Sequence, residues 1–380
     1  MKNDQDKILR IAWRVLAVVV FSLTTAVRIR LLGIPLERDE GEYAYAGQLL
    51  LHGISPYKLA YSMKFPGTYV AYAITMFLFG QTVAAIHLGL LFVNGATSVL
   101  IFFIGKRLLN STVGIAAAAS YALLSLSPSV LGLAGHATHF VVLPVLGSAF
   151  LLLNHWNRLG VGRLFLSGLL MGLGFLMKQP ALFFISSVLR RHITAVRFLP
   201  ILLLASCAAF LVFAQRDLFF RFSPVEISHT IYAGDLFPET IKVAEYVRDH
   251  TDPSDTIAVG GSEPQIYFYS HRHSATGYIY TYPLMEPQTY ARQMQSEMIH
   301  EIESAKPKYL ISVTVDTSWL HSPRSENLIF EWAQRYIADN YVPVGFVNMI
   351  APDRVEYYFD DIPQQVPELG EFILIYRRNP

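Results

Sequence analysis

The two halves of the chain differ in the pattern of their hydrophobic positions. Up to about Gln215, apolar runs are separated by short basic loops, whereas after Phe222 apolar and polar positions alternate as in water-soluble proteins. A membrane-spanning helix needs about 20 mostly apolar residues, and runs approaching that length predict about seven consecutive spans. The predicted spans are Ile11–Leu32, Thr82–Gly105, Thr112–Leu133, Phe140–Leu153, Leu164–Met177, Ala181–Leu189 and Phe198–Phe213. We therefore expect a membrane α-helical bundle over residues 1–215, followed by a soluble α/β domain over residues 216–380.

The loops between these runs predict an orientation. Three basic clusters fall on the N-terminal side of the bilayer if the spans are consecutive, and cytoplasmic loops carry the excess of lysine and arginine. This pattern predicts a multi-pass membrane protein with a cytoplasmic N-terminus and an extracytoplasmic C-terminal domain. The apolar run Pro66–Phe79 would invert this order if it were a span, so we expect a helix at or dipping into the outer surface. The basic residues used here are Lys106, Arg107, Arg158, Arg163, Arg190, Arg191 and Arg197.

The C-terminal part alternates predicted helices and strands, which is typical of an α/β fold with a partly parallel sheet. Predicted helices cover Phe237–His250, Pro287–Ala305 and Ser325–Asn340, and predicted strands cover Thr256–Gly260, Tyr309–Val315, Val342–Asn348 and Phe372–Tyr376. Gly260-Gly261-Ser262 follows a strand, but neither a G-x-G-x-x-G nor a Walker pattern accompanies it. A plain strand-to-helix turn is therefore preferred to a phosphate-binding loop.

Composition narrows the function classes. Apolar residues make up 53% of the chain and charged residues 16%, against roughly a quarter charged in soluble proteins. A net charge of +1 gives no electrostatic support for a nucleic-acid partner. No metal-ligand spacing is recognisable, so no cofactor is expected, although a divalent metal ion stays an open question.

The first predicted outer loop carries a group of acids. Asp39, Glu40 and Glu42 stand within four residues, next to Arg38. One interpretation is a capping box, with Asp39 as N-cap of a helix from Glu42 to His52 that Gly53 ends. The other is a reactive site, because desolvated carboxyl groups at a membrane boundary have raised pKa values that suit a general base. In that case Tyr43, Tyr45, Gln48 and Tyr57 would line a polar pocket with Arg38 and Glu42.

Two lysines and two histidines complete the candidates. Lys64 precedes the predicted surface helix, and Lys178 lies roughly 21 Å along its helix from Leu164, near the outer face. Lys178 could merely extend to the interface from the end of its helix, or it could lie where an anionic headgroup would sit, with the adjacent Gln179 as a candidate substrate-pocket residue. His136 and His139, in the second outer loop, are either structural hydrogen-bonding residues or members of the same pocket.

Five segments together resemble the order of motifs in membrane glycosyltransferases of the GT-C fold. They are Arg38–Tyr45, Gly53–Tyr57, Lys64–Gly67, Leu78–Gly80 and Met177–Pro180. The nearest branch contains bacterial family-39-like enzymes, related to protein O-mannosyltransferases and to the lipid A aminoarabinose transferase. The resemblance covers about Ile11–Pro180.

The resemblance implies an inverting transferase of the bacterial inner (plasma) membrane that uses a polyprenyl-phosphate sugar on the extracytoplasmic face. In that family an acid of the first loop is the catalytic base, which falls on Asp39 with Glu40 beside it. Lysines at the positions of Lys64 and Lys178 help to hold the lipid phosphate. The expected partners are this donor, a lipid, glycan or protein acceptor with a free hydroxyl group, and the bilayer.

Three differences from the family pattern leave an alternative open. His136 and His139 stand where relatives often have an acid, few apolar runs follow Pro180, and no acceptor motif is recognisable. The alternative is a shortened, inactive relative that serves as a membrane-anchored binding or assembly subunit.

Overall fold

The structure, a computed structural model, describes residues 2–154, 160–182 and 199–380. Its packing divides the chain into two compact units. The first, here called the helical unit, comprises the residues up to Gly33 together with Lys64–Ser223. The second, the sheet unit, comprises Ile34–Met63 together with Pro224–Pro380. The predicted first outer loop therefore packs with the C-terminal domain, although it was expected within the membrane domain of residues 1–215.

The helical unit contains α1 and α4–α10, numbered along the chain. They are α1 (Lys2–Arg30), α4 (Gly67–Phe79), α5 (Val83–Leu108), α6 (Ser111–Leu124), α7 (Ala137–Asn154), α8 (Val161–Met177), α9 (Leu199–Ala214) and α10 (Arg216–Phe220). In the described residues, Ile11–Arg30 and Val83–Leu108 are long and apolar enough to cross a membrane. Shorter apolar helices occupy Gly67–Phe79, Ser111–Leu124, Ala137–Leu153 and Val161–Met177. A mostly helical membrane part is therefore found, while the predicted number of spans stays a prediction.

Two of the predicted spans need comment. The expected continuous helix Thr112–Leu133 is wrong, because α6 ends at Leu124 and a short 3-10 turn follows at Pro128–Val130. Leu131 then has a left-handed backbone with φ 51°, which a helix cannot continue through. Most of the predicted span Ala181–Leu189 lies outside the described residues, as do Arg158, Arg190, Arg191 and Arg197.

Small residues allow the helices of this unit to approach closely. A Cβ atom on Gly105 of α5 would lie 2.8 Å from the Cα atom of Gly114 in α6. Such close backbone approach is typical of helix pairs packed through small residues. On the other face of α6, Ala119 and Leu123 pack against Trp13 and Val20 of α1. The order α1–α6–α5 thus follows from these two contacts.

The sheet unit is built on one six-stranded sheet with strand order β2-β1-β3-β6-β4-β5. The strands are β1 (Thr256–Gly260), β2 (His273–Ser274), β3 (Tyr309–Val313), β4 (Tyr341–Ala351), β5 (Arg354–Phe359) and β6 (Glu371–Arg378). β1 pairs in parallel with β2 and β3, and the remaining pairings are antiparallel. The predicted α/β domain with a partly parallel sheet is confirmed. The four predicted strands are present, and the sequence analysis missed β2 and β5.

Helices of the sheet unit lie before and between these strands. They are α2 (Arg38–Leu51), α3 (Pro56–Leu59), α11 (Pro224–Ile231), α12 (Phe237–Asp249), α13 (Gln265–Ser270), α14 (Tyr282–Met285), α15 (Ala291–Ala305), α16 (Asp316–Trp319) and α17 (Leu328–Asn340). The three helices predicted in this region correspond to α12, α15 and α17, of which the last two begin three or four residues later than expected. Helices α15 and α17 contribute Met298 and Ile329 to the core cluster that also contains Leu310 of β3.

Helix α2 joins this unit through a contact between backbones. It packs against α13, where a Cβ atom on Gly41 would lie 2.6 Å from the backbone nitrogen of Gln265. Only glycine permits this approach, because the neighbouring atoms belong to backbone that cannot move aside. The far end of α2 is as predicted: His52 caps it, and Gly53 follows with φ 74°.

Candidate functional site

The acidic end of α2 is capped by a residue that the sequence analysis did not select. Glu37 is the N-cap, and its two carboxylate oxygens accept hydrogen bonds from the backbone N–H groups of Asp39 (2.9 Å) and Glu40 (3.0 Å). The predicted capping box with Asp39 as N-cap is therefore wrong, as is the predicted start of the helix at Glu42. Asp39 lies inside the first turn of α2, where the positive end of the helix dipole stabilises negative charge.

Glu37 is also an acid in an unfavourable environment for charge. Burial raises the pKa of its carboxyl group to about 8, with the nearby carboxylates of Asp39 and Glu40 adding to the effect against two opposing backbone hydrogen bonds. Glu40 and Glu42 are themselves buried, at 1% and 2% exposure. Four carboxyl groups thus lie at one end of one helix. Repulsion between their negative charges favours the protonated form of Glu37.

Asp39 is the least buried of the four acids and makes a defined contact. The hydroxyl group of Tyr280 donates a hydrogen bond to Asp39 Oδ1 at 2.7 Å. Burial, and then the neighbouring carboxylates beginning with Asp39, raise the pKa of Tyr280 well above its usual value. The phenol therefore stays protonated and acts as a donor, which fixes one oxygen of Asp39 in an orientation.

Arg38 serves to attach the acidic helix to the sheet unit. Its Nη2 lies 2.7 Å from Glu263 and 3.0 Å from Asp235, while Nε donates to the carbonyl oxygen of Ser262 at 2.6 Å. Nη1 donates to the hydroxyl group of Tyr282 at 2.9 Å. Burial would lower the pKa of Arg38, but Glu263, Tyr282 and Asp235 outweigh it and raise the pKa. The guanidinium group is thus charged and occupied by protein partners, which points to a structural role for a predicted pocket residue.

The other predicted pocket residues of this segment separate into two groups. Tyr45 and Gln48 are buried against the sheet unit, where the Tyr45 hydroxyl accepts from Ser274 N–H and Gln48 Nε2 donates to the Phe268 carbonyl oxygen. Tyr43 is buried among the acids, and burial followed by the charge of Asp39 raises its pKa. Tyr57 in α3 is 41% exposed, and partial burial, followed by the charge of the Glu42 carboxylate, raises the pKa of its phenol. Only Tyr43 and Tyr57 therefore remain next to the carboxylates.

The segments that carry the two predicted phosphate-binding lysines meet within the helical unit. Lys64 lies three residues before Gly67, which begins α4, and Lys178 caps the C-terminal end of α8. The rings of Phe65 and Phe175 are 5.3 Å apart. The Thr68 hydroxyl donates to the carbonyl oxygen of Met177 at 3.4 Å. Although 114 residues separate Lys64 from Lys178 in the sequence, the fold brings their segments together.

Gly67 sets how closely these two segments approach. A Cβ atom at this position would lie 2.5 Å from the carbonyl oxygen of Leu176 and 2.8 Å from the backbone nitrogen of Met177. A real Cβ atom cannot occupy that space, so the start of α4 and the end of α8 would have to separate. Both lysines are half-buried, as expected for side chains whose methylene groups pack while the ammonium group reaches a polar region.

The histidines of the second predicted outer loop differ in environment. His139 is buried at 6% exposure, with Nδ1 at 3.3 Å from Asn94 Oδ1 and Nε2 at 3.4 Å from the Leu131 carbonyl oxygen. It therefore has the environment of a structural hydrogen-bonding residue. His136 is half-buried, with Nδ1 at 3.1 Å from the Thr138 hydroxyl. Gln179, beside Lys178, is exposed.

Within the described residues, no group of three histidine, cysteine, aspartate or glutamate side chains is arranged to hold a metal ion. The Gly260-Gly261-Ser262 turn also has internal partners, because the backbone N–H of Ser262 is bonded to the carbonyl and hydroxyl oxygens of Ser318. This N–H group is thus engaged in the fold, in agreement with the plain-turn interpretation.

Sequence reasoning missed Glu37 and Tyr280. Glu37 stands two residues before Asp39, and glutamate is not among the preferred N-cap residues, so its residue type gave no capping signal. Tyr280 lies 241 residues after Asp39, in a tyrosine-rich stretch with no local sign of its partner. The role of Glu37 could be found only from the backbone of α2, and the contact of Tyr280 only from the tertiary fold.

The contact at Gly67 predicts that Gly67→Ala lowers the midpoint of thermal unfolding of the detergent-solubilised chain, because the added methyl group overlaps backbone. Overpacking of this kind costs about 1–3 kcal/mol. The matched control is Gly172→Ala in α8, where a Cβ atom would meet nothing within 4 Å. An equal midpoint for the two variants would contradict the contact.

The raised pKa of Glu37 predicts a pH dependence of stability. The folded carboxyl group holds its proton up to about pH 8, against an ordinary value of 4.5, so the folded state binds more protons between these values. Stability is then lost as pH rises from about 4.5 through 8. We expect Glu37→Gln to flatten this part of the midpoint-versus-pH curve. Loss of one capping hydrogen bond would also lower the free energy of unfolding by about 1 kcal/mol at every pH.

The control for this titration is Glu245→Gln, which removes an exposed carboxylate from α12. The midpoint-versus-pH curve of this variant should run parallel to that of the unmodified chain from pH 4.5 to 8. A Glu37→Gln curve that also ran parallel would show that Glu37 does not hold a proton in the folded state.

Comparison with known proteins gives one match. No curated protein and no solved structure matches the chain. Residues 64–218 match the family described as dolichyl-phosphate-mannose-protein mannosyltransferase. This stretch coincides closely with the second segment of the helical unit, Lys64–Ser223, and it contains both Lys64 and Lys178. The resemblance predicted from the motifs is thus confirmed: over residues 64–218 the chain is similar to membrane glycosyltransferases of the GT-C type.

Proposed function

We propose that this protein transfers a sugar from a polyprenyl-phosphate donor to an acceptor hydroxyl group on the extracytoplasmic face of the membrane, with inversion at the sugar carbon. The observation that carries the proposal is the meeting of the Lys64 and Lys178 segments at the contact of Gly67 with Leu176 and Met177. The matched family is named for a dolichyl-phosphate-linked mannose donor. For this chain we propose the wider donor class, since neither the sugar nor the prenyl length has a recognised determinant.

Charge supports the role of the two lysines. When the sugar leaves, the lipid phosphate gains a negative charge, and fixed ammonium groups stabilise that charge in the transition state. Lys178 follows the last residue of α8 and Lys64 precedes the first residue of α4. Lys178 thus starts from a helix end, and Lys64 lies three residues before one, next to a backbone contact that limits how far both side chains must reorganise to bind the phosphate.

For the acceptor we propose Asp39 as the general base, with Glu40 beside it. An acceptor hydroxyl group is a poor nucleophile until a base removes its proton. Asp39 is the acid of the group that is partly exposed, and Tyr280 orients its carboxyl group through a 2.7 Å hydrogen bond to Oδ1. Inversion follows if the hydroxyl group attacks the face of the sugar opposite the leaving phosphate.

The alternative, an inactive subunit that binds or assembles through its C-terminal domain, gains no support from these observations. An assembly subunit would not need the acids and lysines in defined environments. Turnover of a polyprenyl-phosphate sugar by the purified chain separates the two functions.

Asp39→Asn should lower the turnover number for sugar transfer by about 10²–10⁴-fold, because an amide cannot accept the proton. Folding should be unaffected, as Asn keeps the shape and still accepts from Tyr280. The measurement is transfer from a radiolabelled polyprenyl-phosphate sugar in nanodiscs, with Asp249→Asn, an exposed acid of α12, as control. Full activity in Asp39→Asn would remove this residue as the base.

Lys178→Ala should raise the apparent KM for the donor more than that for the acceptor, and Lys64→Ala should do the same. Loss of one fixed cation from a developing phosphate charge corresponds to about 10²–10³-fold in rate. Lys106→Ala, an exposed lysine in the last turn of α5, is the matched control. An unchanged apparent KM for the donor in both Lys178→Ala and Lys64→Ala would reject the phosphate-binding role.

A further inference from the structure

A cleft of about 480 Å³ opens in the sheet unit, away from the acidic end of α2. It lies where the parallel strands β1 and β3 end, at Gly260 and Val313, and α15 and α17 form its walls. The carboxyl ends of parallel strands are the usual place for ligands in open α/β sheets. The volume is also within the range of small-molecule sites, about 300–1,000 Å³.

The walls of the cleft are mainly apolar and aromatic. Residues such as Ile302, Leu310 and Ile329 form its floor, and Trp319, Phe330 and Trp332 stand around it half-buried. The indole N–H groups are already used, since Trp319 donates to the Val313 carbonyl oxygen and Trp332 donates to Glu303, each at 2.8 Å. The rings therefore offer apolar faces to a ligand.

One wall carries negative charge. Asp316 lines the cleft, and its side chain accepts no hydrogen bond from any residue that the structure describes. Burial and then the Asp316 charge raise the pKa of the neighbouring Glu371, so two carboxyl groups repel each other at this edge. Of the described residues that line the cleft, His321 is the only basic one, and its Nε2 is 2.9 Å from Asn327 Oδ1.

We propose that this cleft binds a small organic cation that consists of an apolar ring or branched chain with an ammonium group. The apolar part would be buried against the aromatic walls, and the ammonium group would pair with Asp316 and relieve its repulsion with Glu371. Tryptophan faces add attraction for a cation, whereas an anionic ligand of the same shape would be repelled. This site is independent of the proposed sugar transfer, because neither Asp39 nor the lysines take part.

Isothermal titration calorimetry of the full chain in nanodiscs tests the proposal, with empty nanodiscs as the blank. The two probes are phenethylamine and 3-phenylpropionate, which share a phenyl ring and a two-carbon spacer but carry opposite charges. We expect phenethylamine to bind at least about tenfold more tightly, corresponding to about 1.4 kcal/mol. Equal binding of the two probes, or binding of the anion alone, would overturn the proposal.

Two variants locate the binding. Asp316→Asn should weaken phenethylamine about three- to fivefold, as expected for a partly solvated ion pair, and should not weaken 3-phenylpropionate. The matched control is Asp353→Asn, an exposed acid in the turn between β4 and β5, which removes the same charge from the chain. If both variants changed the affinity equally, the effect would be general electrostatics and the site would be rejected.

Ala333→Trp places a large ring into the cleft from α17 and should abolish binding of phenethylamine. Its thermal unfolding is measured alongside, because overpacking could destabilise the unit. If Ala333→Trp does not fold, the Asp316→Asn comparison decides alone, since Asp316 is exposed and its replacement adds no volume. A folded Ala333→Trp variant that binds as well as the unmodified chain would contradict the assignment.

Discussion

The position of the acidic helix depends on the buried charge of Arg38. Its guanidinium group lies between Glu263 and Asp235, 10% exposed, and it ties the first turn of α2 to chain segments about 200 residues away. A buried ion pair adds little net stability in itself, but removal of one partner costs about 3–5 kcal/mol, because the other charge is left buried. Once Arg38 is placed, Asp39 follows on the next residue, in reach of Tyr280. The orientation of the proposed base is thus a consequence of charge pairing in the sheet unit.

Two glycines in the motif segments have a common physical explanation. Gly41 allows α2 to reach the backbone of Gln265, and Gly67 allows α4 to reach the backbone of Leu176 and Met177. Each lies within three residues of a proposed functional side chain, Asp39 in one case and Lys64 in the other. Side-chain contacts can adjust by rotamer changes, whereas a contact between backbones leaves little freedom. The motifs therefore combine a chemical group with the residue that fixes its backbone.

The hydrophobic pattern of the sequence was sufficient to predict the strands that contain several buried residues. The bounds of β1 were predicted correctly, and β3 and β6 within two residues at each end, because their buried positions form clear apolar runs. β5 has no buried residue, so it left no hydrophobic signal. The cap of α2 was misplaced because Asp39 is of a preferred N-cap type, whereas the structure has Glu37 at this position.

Contacts between residues far apart in the chain could not be predicted from the sequence. The partners of Arg38, Asp39 and Tyr45 come from a domain that begins near Pro224, and no local feature of the first loop indicates them. The same is true of the meeting of the segments that carry Lys64 and Lys178, which the motif order implied only through the resemblance. Chemistry-bearing residues could be selected from the sequence, but their division into structural and reactive ones needed their contacts.

Helix α16 contacts the residues that hold Arg38 and also lines the cleft of the sheet unit. Thr317 accepts from Tyr282 through its carbonyl oxygen and donates its hydroxyl to Asp235, and these are the residues that hold Arg38. On the same four-residue helix, Asp316 and Trp319 line the cleft. The helix is closed by two backbone hydrogen bonds, from Ser318 N–H to the Val315 carbonyl oxygen and from Leu320 N–H to the Asp316 carbonyl oxygen. One short element thus carries a wall of the cleft together with the contacts to Tyr282 and Asp235.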